Sequence, residues 1–129
     1  EAMKSLKALI ADVPYSNKKL AGMDMEERYR LILSTIFNAI GCRVEVEKMI
    51  ATGRIDMVVK TTNFIYVLEL KLSNNGGIDS ATEQIRAKQY TEPFKADKRK
   101  VVAIAIELDE KGKGLVEWKE VPNIAASSI

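Results

Sequence analysis

Two acids and one amine stand inside the most apolar stretch of the chain, residues 54–71, which reads "RIDMVVKTTNFIYVLELK". They are Asp56, Glu69 and Lys71. A turn at residues 62–63 would place Asp56 opposite Glu69 in an antiparallel pair of strands. Side chains two positions apart on a strand share a face, so Glu69 and Lys71 are expected to be neighbours. The three groups are therefore expected to converge on one point.

Two converging carboxylates repel each other unless a cation lies between them. Magnesium binds oxygen ligands and typically keeps several waters beside one or two carboxylates, and the backbone carbonyl of Leu70 is a further candidate ligand. Beside such an ion, Lys71 would position a water molecule, accept its proton or stabilise charge on a phosphate. The alternative is structural: Glu69 and Lys71 form a surface ion pair, and Asp56 only ends a strand.

A polar pair also interrupts the apolar stripe of the helix that follows. Ala81, Gln84, Ile85 and Lys88 recur at helical spacing, so Gln84 and Lys88 occupy positions where apolar residues are expected. There Gln84 would hold a water or a phosphate, and Lys88 would neutralise a phosphate. The alternative is that both side chains lie at the edge of the stripe and extend into solvent.

The composition excludes several kinds of chemistry. The 129 residues contain no histidine, which removes Ser-His-Asp and Cys-His catalysis and every histidine-based zinc site. The single cysteine, Cys42, has no partner for an internal disulfide and is expected to be a reduced core thiol. With 47% apolar and 29% charged residues, the chain is typical of a single globular domain covering residues 1–129.

Basic residues are concentrated in one segment, although the formal net charge of the chain is only +2. Residues 86–100 hold six basic and two acidic side chains. Such a surface suits a polyanion such as nucleic acid, and a solvated charged face is the alternative. The six basic residues are Arg86, Lys88, Lys95, Lys98, Arg99 and Lys100.

The ends of the chain and its hydropathy bear on where the protein acts. No apolar run approaches the roughly 18 to 20 residues of a membrane span, and the first residues lack the apolar core of a signal peptide. A cytoplasmic location without a membrane partner is therefore expected. Because the chain begins at Glu1 rather than at a methionine, we expect it to be a piece of a longer protein.

Three helices are predicted from the spacing of apolar residues. The first lies within residues 1–11 and leads into a loop that reaches about residue 20. The second begins at a capping box of Asp24 and Glu27, and the third at one of Ser80 and Glu83, from which it extends toward residue 93. The buried stripe of the second helix is predicted to contain Tyr29, Ile32, Leu33, Ile36, Phe37 and Ile40.

Five segments read as strands, because apolar residues alternate or β-branched residues are enriched in them. The first three are joined by short turns and should form an antiparallel meander, while the third helix should cross over to a strand that pairs in parallel. A frayed tail is expected at residues 123–129. The order predicts an α/β fold with a mixed central sheet flanked by helices. The predicted strands are residues 43–50, 55–60, 64–72, 100–107 and 115–121.

Several segments together resemble one known family. They are "GRIDMVV", "YVLELKL", "ATEQIRAKQYTEPF", "KVVAIAIE" and "VEWKEV". In this order they are similar to the PD-(D/E)XK nuclease superfamily domain that is found C-terminal to AAA-ATPase-like modules in bacterial proteins. The resemblance runs from about Met25 to Val121. It implies a restriction-endonuclease-like αβββαβ core and a metal-dependent nuclease acting on nucleic acid, with DNA favoured, covalently linked to an upstream ATPase-like domain.

The resemblance also implies roles for individual residues. Asp56 matches the first acid of the motif, and Ile55 replaces the proline in the superfamily's name. Glu26, with Glu27 as the close alternative, matches an acid of the early helix, and Arg30 stands where relatives often have glutamine or histidine. The expected ligands of Mg²⁺ or Mn²⁺ are Asp56, Glu69 and Leu70; the catalytic residues are Lys71, Gln84 and Glu26; and the nucleic-acid contacts are Arg54, Arg86, Lys88, Tyr90, Lys98, Arg99 and Lys100.

Two other functions stay open on the sequence. The domain could be a catalytically silent module that binds nucleic acid or docks a partner and is attached to an ATPase-like domain. It could also be a structural appendage that regulates that neighbour without binding DNA. Membership of a superfamily does not choose among these functions, because a fold does not fix a function.

Overall fold

The computed structural model of the protein describes residues 24–122, so the predicted helix within residues 1–11 and the predicted tail at 123–129 lie outside the described residues. Neither helix in this part is long and apolar enough to cross a membrane. The elements in chain order are α1 (Met25–Ala39), β1 (Arg43–Ile50), β2 (Gly53–Lys60), β3 (Phe64–Leu72), α2 (Gly77–Ala87), β4 (Lys100–Leu108) and β5 (Leu115–Val121).

One five-stranded sheet organises the described residues, in the order β1-β2-β3-β4-β5. Neighbouring strands are antiparallel except for β3 and β4, which are parallel and are connected through α2. A parallel pair needs such a crossover, whereas the antiparallel pairs close through short turns. The prediction of an α/β fold with a mixed central sheet flanked by helices is confirmed.

The central strand β3 contributes to both layers of the core. Leu68 and Leu70 pack on the side that α1 covers, together with Tyr29 of that helix. Ile65 and Val67 pack on the opposite side, against α2. This alternation leaves β3 buried on both faces, which is why its sequence is nearly continuous in apolar residues.

Helix α1 begins as predicted. The Asp24 carboxylate accepts a hydrogen bond of 2.7 Å from the Glu27 backbone N–H, and the Glu27 carboxylate accepts one of 3.5 Å from the Asp24 N–H. The predicted buried stripe is wrong at its last position, because Ile40 is 67% exposed. Ile40 is the C-cap, and Gly41, with a φ of +94°, reverses the chain just after it.

The start of α2 corrects the sequence prediction. The helix begins at Gly77, three residues before Ser80, and no local side chain caps it. The cap comes instead from Glu107 of β4, whose carboxylate accepts hydrogen bonds from the Ile78 N–H at 2.9 Å and from the Ser73 hydroxyl at 2.6 Å. A carboxylate suits this end of a helix because the first N–H groups there lack partners. A Cβ atom at Gly77 would lie only 2.5 Å from Glu107, so the arrangement needs glycine.

The end of α2 also differs from the prediction, since the helix ends at Ala87 rather than near residue 93. Gln89 adopts a left-handed conformation with a φ of +50°. The Tyr90 N–H then donates to the Ile85 carbonyl at 3.3 Å, and the Gln89 N–H donates to the Arg86 carbonyl at 3.3 Å. These two bonds form a Schellman motif, which usually has glycine at the left-handed position. The reversal turns Tyr90 inward, where it is fully buried.

Replacement of Gln89 by glycine should stabilise the fold. A side chain at a left-handed position costs roughly 1 kcal/mol relative to glycine. We therefore expect Gln89→Gly to raise the free energy of unfolding by about 1 kcal/mol in a urea titration. Gln89→Ala is the control, because alanine pays the same backbone cost as glutamine and should leave the midpoint nearly unchanged. Equal effects of the two variants would contradict this account of the α2 terminus.

Candidate active site

A cleft of about 460 Å³ opens where the start of β2 and the end of β3 meet the two helices. Four structural segments contribute to it: α1, the β1–β2 hairpin, β3 and α2. Its wall contains three acids, three cations and one amide, an unusual concentration of polar groups at the end of an apolar sheet. The lining residues are Glu26, Met49, Gly53, Arg54, Asp56, Glu69, Lys71, Gln84 and Lys88.

Pairing of β2 with β3 brings the two central acids together. The register runs from Lys60 opposite Ile65 to Met57 opposite Leu68, and the next step along both strands reaches Asp56 and Glu69. The Asp56 carboxylate accepts a 2.9 Å hydrogen bond from the Leu70 backbone N–H. Both acids are almost fully buried, with exposures of 6% and 2%. The structure therefore places the two carboxylates side by side at one end of the sheet.

Local irregularity in β1 and β2 accompanies this placement. Ile55 and Val58 belong to the same core layer although three positions separate them, so the regular alternation of β2 breaks around Asp56. On the neighbouring strand, pairing is interrupted at Glu47, whose φ is +53°. Interruptions of this kind re-aim side chains next to functional sites in many sheets. This break depends on contacts between strands, so the periodicity of the sequence does not predict it.

Tyr90 holds Glu69 from the side of α2. Its hydroxyl oxygen lies 2.9 Å from Oε1 of Glu69 and 2.8 Å from the Arg54 carbonyl oxygen, and it accepts a 3.0 Å hydrogen bond from Nε2 of Gln84. The hydroxyl has one proton for two possible acceptors. All three contacts are satisfied together when Glu69 is protonated and donates to Tyr90, while Tyr90 donates to Arg54. A deprotonated Glu69 must instead compete with that carbonyl for the single proton.

The electrostatics of the site also favour the protonated form of Glu69. Burial, followed by the negative charge of Asp56, raises the pKa of Glu69 to about 8. Among residues 24–122, Lys71 forms an ion pair with Glu69: its Nζ lies 4.0 Å from Oε2 of Glu69, and its side chain is 19% exposed. Burial and the charge of Glu69 likewise raise the pKa of the Tyr90 hydroxyl. Burial and mutual repulsion thus disfavour ionisation of both carboxylates at the same time.

The donor set fits a hard divalent cation. Within residues 24–122, no three carboxylate, thiol or imidazole side chains are grouped so that they would hold a metal ion by themselves. Asp56 and Glu69 instead provide two carboxylates, and Mg²⁺ is commonly bound by one or two carboxylates plus waters and substrate phosphates. A cation between them would stabilise the ionised forms of both carboxylates. The residues present therefore fit Mg²⁺ or Mn²⁺ better than a soft metal.

Glu26 approaches the pair from the first turn of α1 and lines the cleft. Burial, followed by the charge of Asp56, raises the pKa of Glu26. Arg30, one turn further along the helix, lies 3.9 Å from its carboxylate. Glu26 is thus close enough to the acid pair to share its electrostatic field, and Glu27 is committed to the capping box instead.

Two polar side chains, Gln84 of α2 and Lys88 just after its end, line the cleft, and Lys88 is exposed. Gln84 lines it and donates to Tyr90, so it is not a solvated residue at the edge of the helix stripe. The Lys88 carbonyl accepts a hydrogen bond from the Thr52 hydroxyl, which ties the end of α2 to the β1–β2 turn. The aliphatic stem of Lys88 crosses Gly53, where a Cβ atom would approach its Cδ to 3.3 Å. Gly53 therefore makes room for the Lys88 stem over the hairpin.

The predicted basic surface is not a single patch. Arg54 and Lys88 line the cleft, and Arg86 is exposed on α2. Lys100 pairs with Phe64 at the opposite end of β3. Glu69 pairs with Ala105 of β4, so Lys100 lies five residues along the strand from that position, or about 17 Å away.

Three further predicted contacts lie away from the cleft or inside the protein. Arg99 is held by the Asp97 carboxylate at 2.9 Å, next to Lys98 and Lys100 at the far end of the sheet. Tyr90 is fully buried and has no exposed surface for nucleic acid. Its place in the site is behind Glu69 rather than at the substrate surface. The basic segment of the sequence is continuous, but the fold divides it between two ends of the sheet.

Some lining residues were not among the sequence candidates. Met49 and Gly53 of the β1–β2 hairpin reach the cleft, and Met49 is 72% exposed there. Arg30 and Glu47 form an ion-pair network beside it. The Thr52-Gly53 turn is visible in the sequence, but the contact between this turn and the end of α2 depends on tertiary packing. The sequence therefore predicts the acids of the site but not the contribution of the β1–β2 hairpin to the cleft.

The fold and site together define a restriction-endonuclease-like domain: a mixed sheet between helices with two acids and a lysine at adjoining strand ends. The family model of the PD-(D/E)XK nuclease superfamily matches residues 24–118, and the chain belongs to this superfamily. The superfamily prediction made from the sequence is thereby confirmed, whereas the AAA-ATPase-like neighbour stays a prediction.

The chain is also similar to a protein of Azotobacter chroococcum mcd 1 named "Uncharacterized protein in vnfD 5'region". The two are 26% identical over 112 residues, which are 84% of this chain and 21% of the relative. The chain thus spans about a fifth of the length of that relative.

The protonation of Glu69 predicts how stability depends on pH when no metal is bound. The unfolded chain releases this proton near 4.5, whereas the folded protein keeps it up to about 8. Between these values the folded state binds more protons, so its stability falls as pH rises. In EDTA we expect the free energy of unfolding to fall by about 1 to 3 kcal/mol between about pH 5 and pH 8, measured by urea titration.

Glu69→Gln should flatten this dependence, because the amide does not titrate and, like the protonated acid, can donate a hydrogen bond to the Tyr90 hydroxyl. Glu117→Gln on the edge strand β5 is the control, since it removes an exposed acid and should keep the wild-type dependence. A wild-type slope in Glu69→Gln would show that another group is responsible.

Proposed function

We propose that this domain is a magnesium- or manganese-dependent nuclease that hydrolyses phosphodiester bonds of nucleic acid, with DNA favoured over RNA. The observation that carries the proposal is the convergence of Asp56, Glu69 and Lys71 in one cleft. Membership of the PD-(D/E)XK nuclease superfamily supports it. Buried carboxylates are costly for stability, and strongly perturbed acids in a cleft are typical of functional sites.

In this proposal Asp56 and Glu69 hold the metal ion, and the Leu70 backbone carbonyl is the third protein ligand. Once bound, the ion would supply Lewis-acid stabilisation of phosphate charge and would make a coordinated water more acidic. Tyr90 and the Leu70 N–H fix the two carboxylates from behind, through hydrogen bonds of 2.9 Å each. Such outer partners orient ligating groups and raise the precision of a metal site.

Three other side chains would act on the substrate and water. Lys71 is close to Glu69 and only partly exposed, so its amine is placed to orient or activate the attacking water or to stabilise phosphate charge. Gln84 assists from α2, where its amide is anchored by Tyr90. Glu26 is the proposed contribution of α1. Its raised pKa supports a role in the charge balance of the cleft.

The cations of the cleft suit a polyanionic substrate. Arg54 and Lys88 line it directly, and Arg86 lies on the exposed surface of α2. We assign backbone-phosphate contacts to these three residues, because phosphate contacts position a nucleic acid without reading its sequence. Lys98, Arg99 and Lys100 lie at the far end of the sheet and would contact only a substrate that extends about 17 Å from the acids.

A silent binding module is the second candidate function. It is compatible with membership of the superfamily, because a fold does not fix a function. The relative's greater length also supports a place for the domain inside a larger protein, for which we keep the proposal of an upstream ATPase-like domain. Such a module would bind nucleic acid or a partner without cutting it. Cleavage in the presence of Mg²⁺ separates the two functions.

Cleavage should require the acid pair and the lysine. With Mg²⁺ and radiolabelled single- and double-stranded DNA, we expect Lys71→Ala to lower the cleavage rate by about 10²- to 10⁴-fold. Asp56→Asn should reduce it at least as much, because it removes a ligand charge and keeps the acceptor for the Leu70 N–H. Lys119→Ala, an exposed change on β5, is the matched control and should cleave at the wild-type rate.

Circular dichroism spectra of all variants should coincide, which separates lost chemistry from lost folding. Full activity of folded Lys71→Ala or Asp56→Asn would exclude the proposed mechanism. Absence of cleavage by the wild-type domain, together with DNA binding, would favour the silent module.

A further inference from the structure

Two arginines converge on a single carboxylate at the margin of the cleft. Nη2 of Arg30 lies 3.3 Å from Oε1 of Glu47, and Nη1 of Arg54 lies 3.7 Å from the same oxygen. The Arg30 side chain is 16% exposed, whereas those of Glu47 and Arg54 are 45% and 55% exposed. The guanidinium groups are thus held from two elements, α1 and β2, and their shared partner can reach solvent.

The backbone at Glu47 is unfavourable for a glutamate. Its φ of +53° is left-handed, which side-chain-bearing residues adopt only rarely. The strand pairing is interrupted there, between Val46 opposite Met57 and Lys48 opposite Ile55. An unfavourable conformation inside a strand marks a position with a specific local requirement. Here the strained residue is the one whose side chain joins the two arginines.

The arginine pair is continuous with the proposed active site. Arg54 lines the cleft and lies two residues before Asp56. Arg30 also contacts Glu26, another lining residue, at 3.9 Å. A guanidinium group can pair with a carboxylate or with a phosphate through its N–H donors. A carboxylate bound between two arginines therefore occupies a position that a phosphate group would also fit.

We propose that Arg30 and Arg54 form a subsite for a backbone phosphate of the nucleic acid, and that Glu47 fills this subsite in the free protein. Substrate binding then requires the Glu47 carboxylate to turn out toward solvent, which its partial exposure permits. Glu47 acts as an internal competitor of the phosphate. The inference rests on the proposed function, since it names a substrate contact of the same cleft, and it assigns a role to Arg30 that the sequence did not reveal.

Glu45 provides a matched comparison on the same strand. It also pairs with two cations, Lys48 at 3.0 Å and Lys60 at 3.3 Å. Neither lysine lines the cleft, and Lys60 is the last residue of β2, four positions beyond Asp56. Glu45→Gln and Glu47→Gln therefore change the net charge equally. They differ in whether the acid that is removed occupies the proposed subsite.

Binding can be measured without cleavage, by fluorescence anisotropy of a fluorescein-labelled 20-nucleotide DNA duplex in EDTA. We expect Glu47→Gln to lower Kd about fivefold to tenfold, because the phosphate no longer competes with an internal carboxylate. The dependence of log Kd on log salt should steepen by about one unit, because one more counterion is released on binding when no internal carboxylate neutralises the arginines of the free protein. Glu45→Gln should change Kd by less than about twofold, since only the general charge of the protein changes.

The arginines test the assignment of the subsite. In an Arg30→Gln, Arg54→Gln double variant, addition of Glu47→Gln should change Kd no more than Glu45→Gln does. Equal tightening by Glu47→Gln and Glu45→Gln in the otherwise wild-type protein would overturn the proposal, as would weaker binding by Glu47→Gln. Thermal unfolding midpoints of every variant establish that the comparison is between folded proteins.

The same experiments distinguish a failed subsite from a failed function. If the wild type cleaves DNA with Mg²⁺ and Glu47→Gln binds DNA with wild-type affinity and salt dependence, only the subsite is wrong. If the wild type neither binds nor cleaves DNA, the proposed function is wrong and the subsite falls with it. Tighter binding by Glu47→Gln in a domain that does not cleave would support the subsite within the silent binding module.

Discussion

The burial of two carboxylates side by side is the constraint on which the site depends. Asp56 and Glu69 lie almost entirely inside the protein, and the Lys71 amine is 4.0 Å from the Glu69 carboxylate. In apolar surroundings this pair is unfavourable, because the charged forms lose water and repel each other. Protonation of Glu69 relieves the repulsion in the free protein. In the proposed function a bound cation would instead stabilise both ionised carboxylates, so metal binding would be coupled to the stability of the fold.

The rest of the fold positions this pair and its surroundings. The antiparallel register of β2 and β3 brings the acids together, and the Schellman turn after α2 brings Tyr90 behind Glu69. The α1 helix adds Glu26, and the β1–β2 hairpin encloses the cleft. Each contribution comes from a different element, so the site exists only in the folded domain. The backbone is strained at Glu47, beside the cleft, and at Gln89, in the turn that positions Tyr90.

The sequence predicts the positions of the strands better than the ends of α2 and the connections between elements. Strand periods identify β1, β3 and β5 with the bounds that the structure has, and they place Glu69 and Lys71 on one face. The helix α2 is misplaced at both ends, because its cap is Glu107 from β4 and its terminus is a left-handed glutamine rather than a glycine. The basic segment looks continuous but is divided by the turn at residue 89. These errors share a cause: contacts between residues distant in sequence override local signals.

The central claim is that Asp56 and Glu69 together bind a divalent cation in the cleft. Its most direct test is a crystal of the domain soaked in MnCl₂, with diffraction data collected where manganese scatters anomalously. We expect an anomalous difference peak within bonding distance of one oxygen from each carboxylate, at about 2.0 to 2.3 Å, and its loss in Asp56→Asn. A fully soaked crystal with no peak between these two acids, or with manganese bound only elsewhere, would contradict the account.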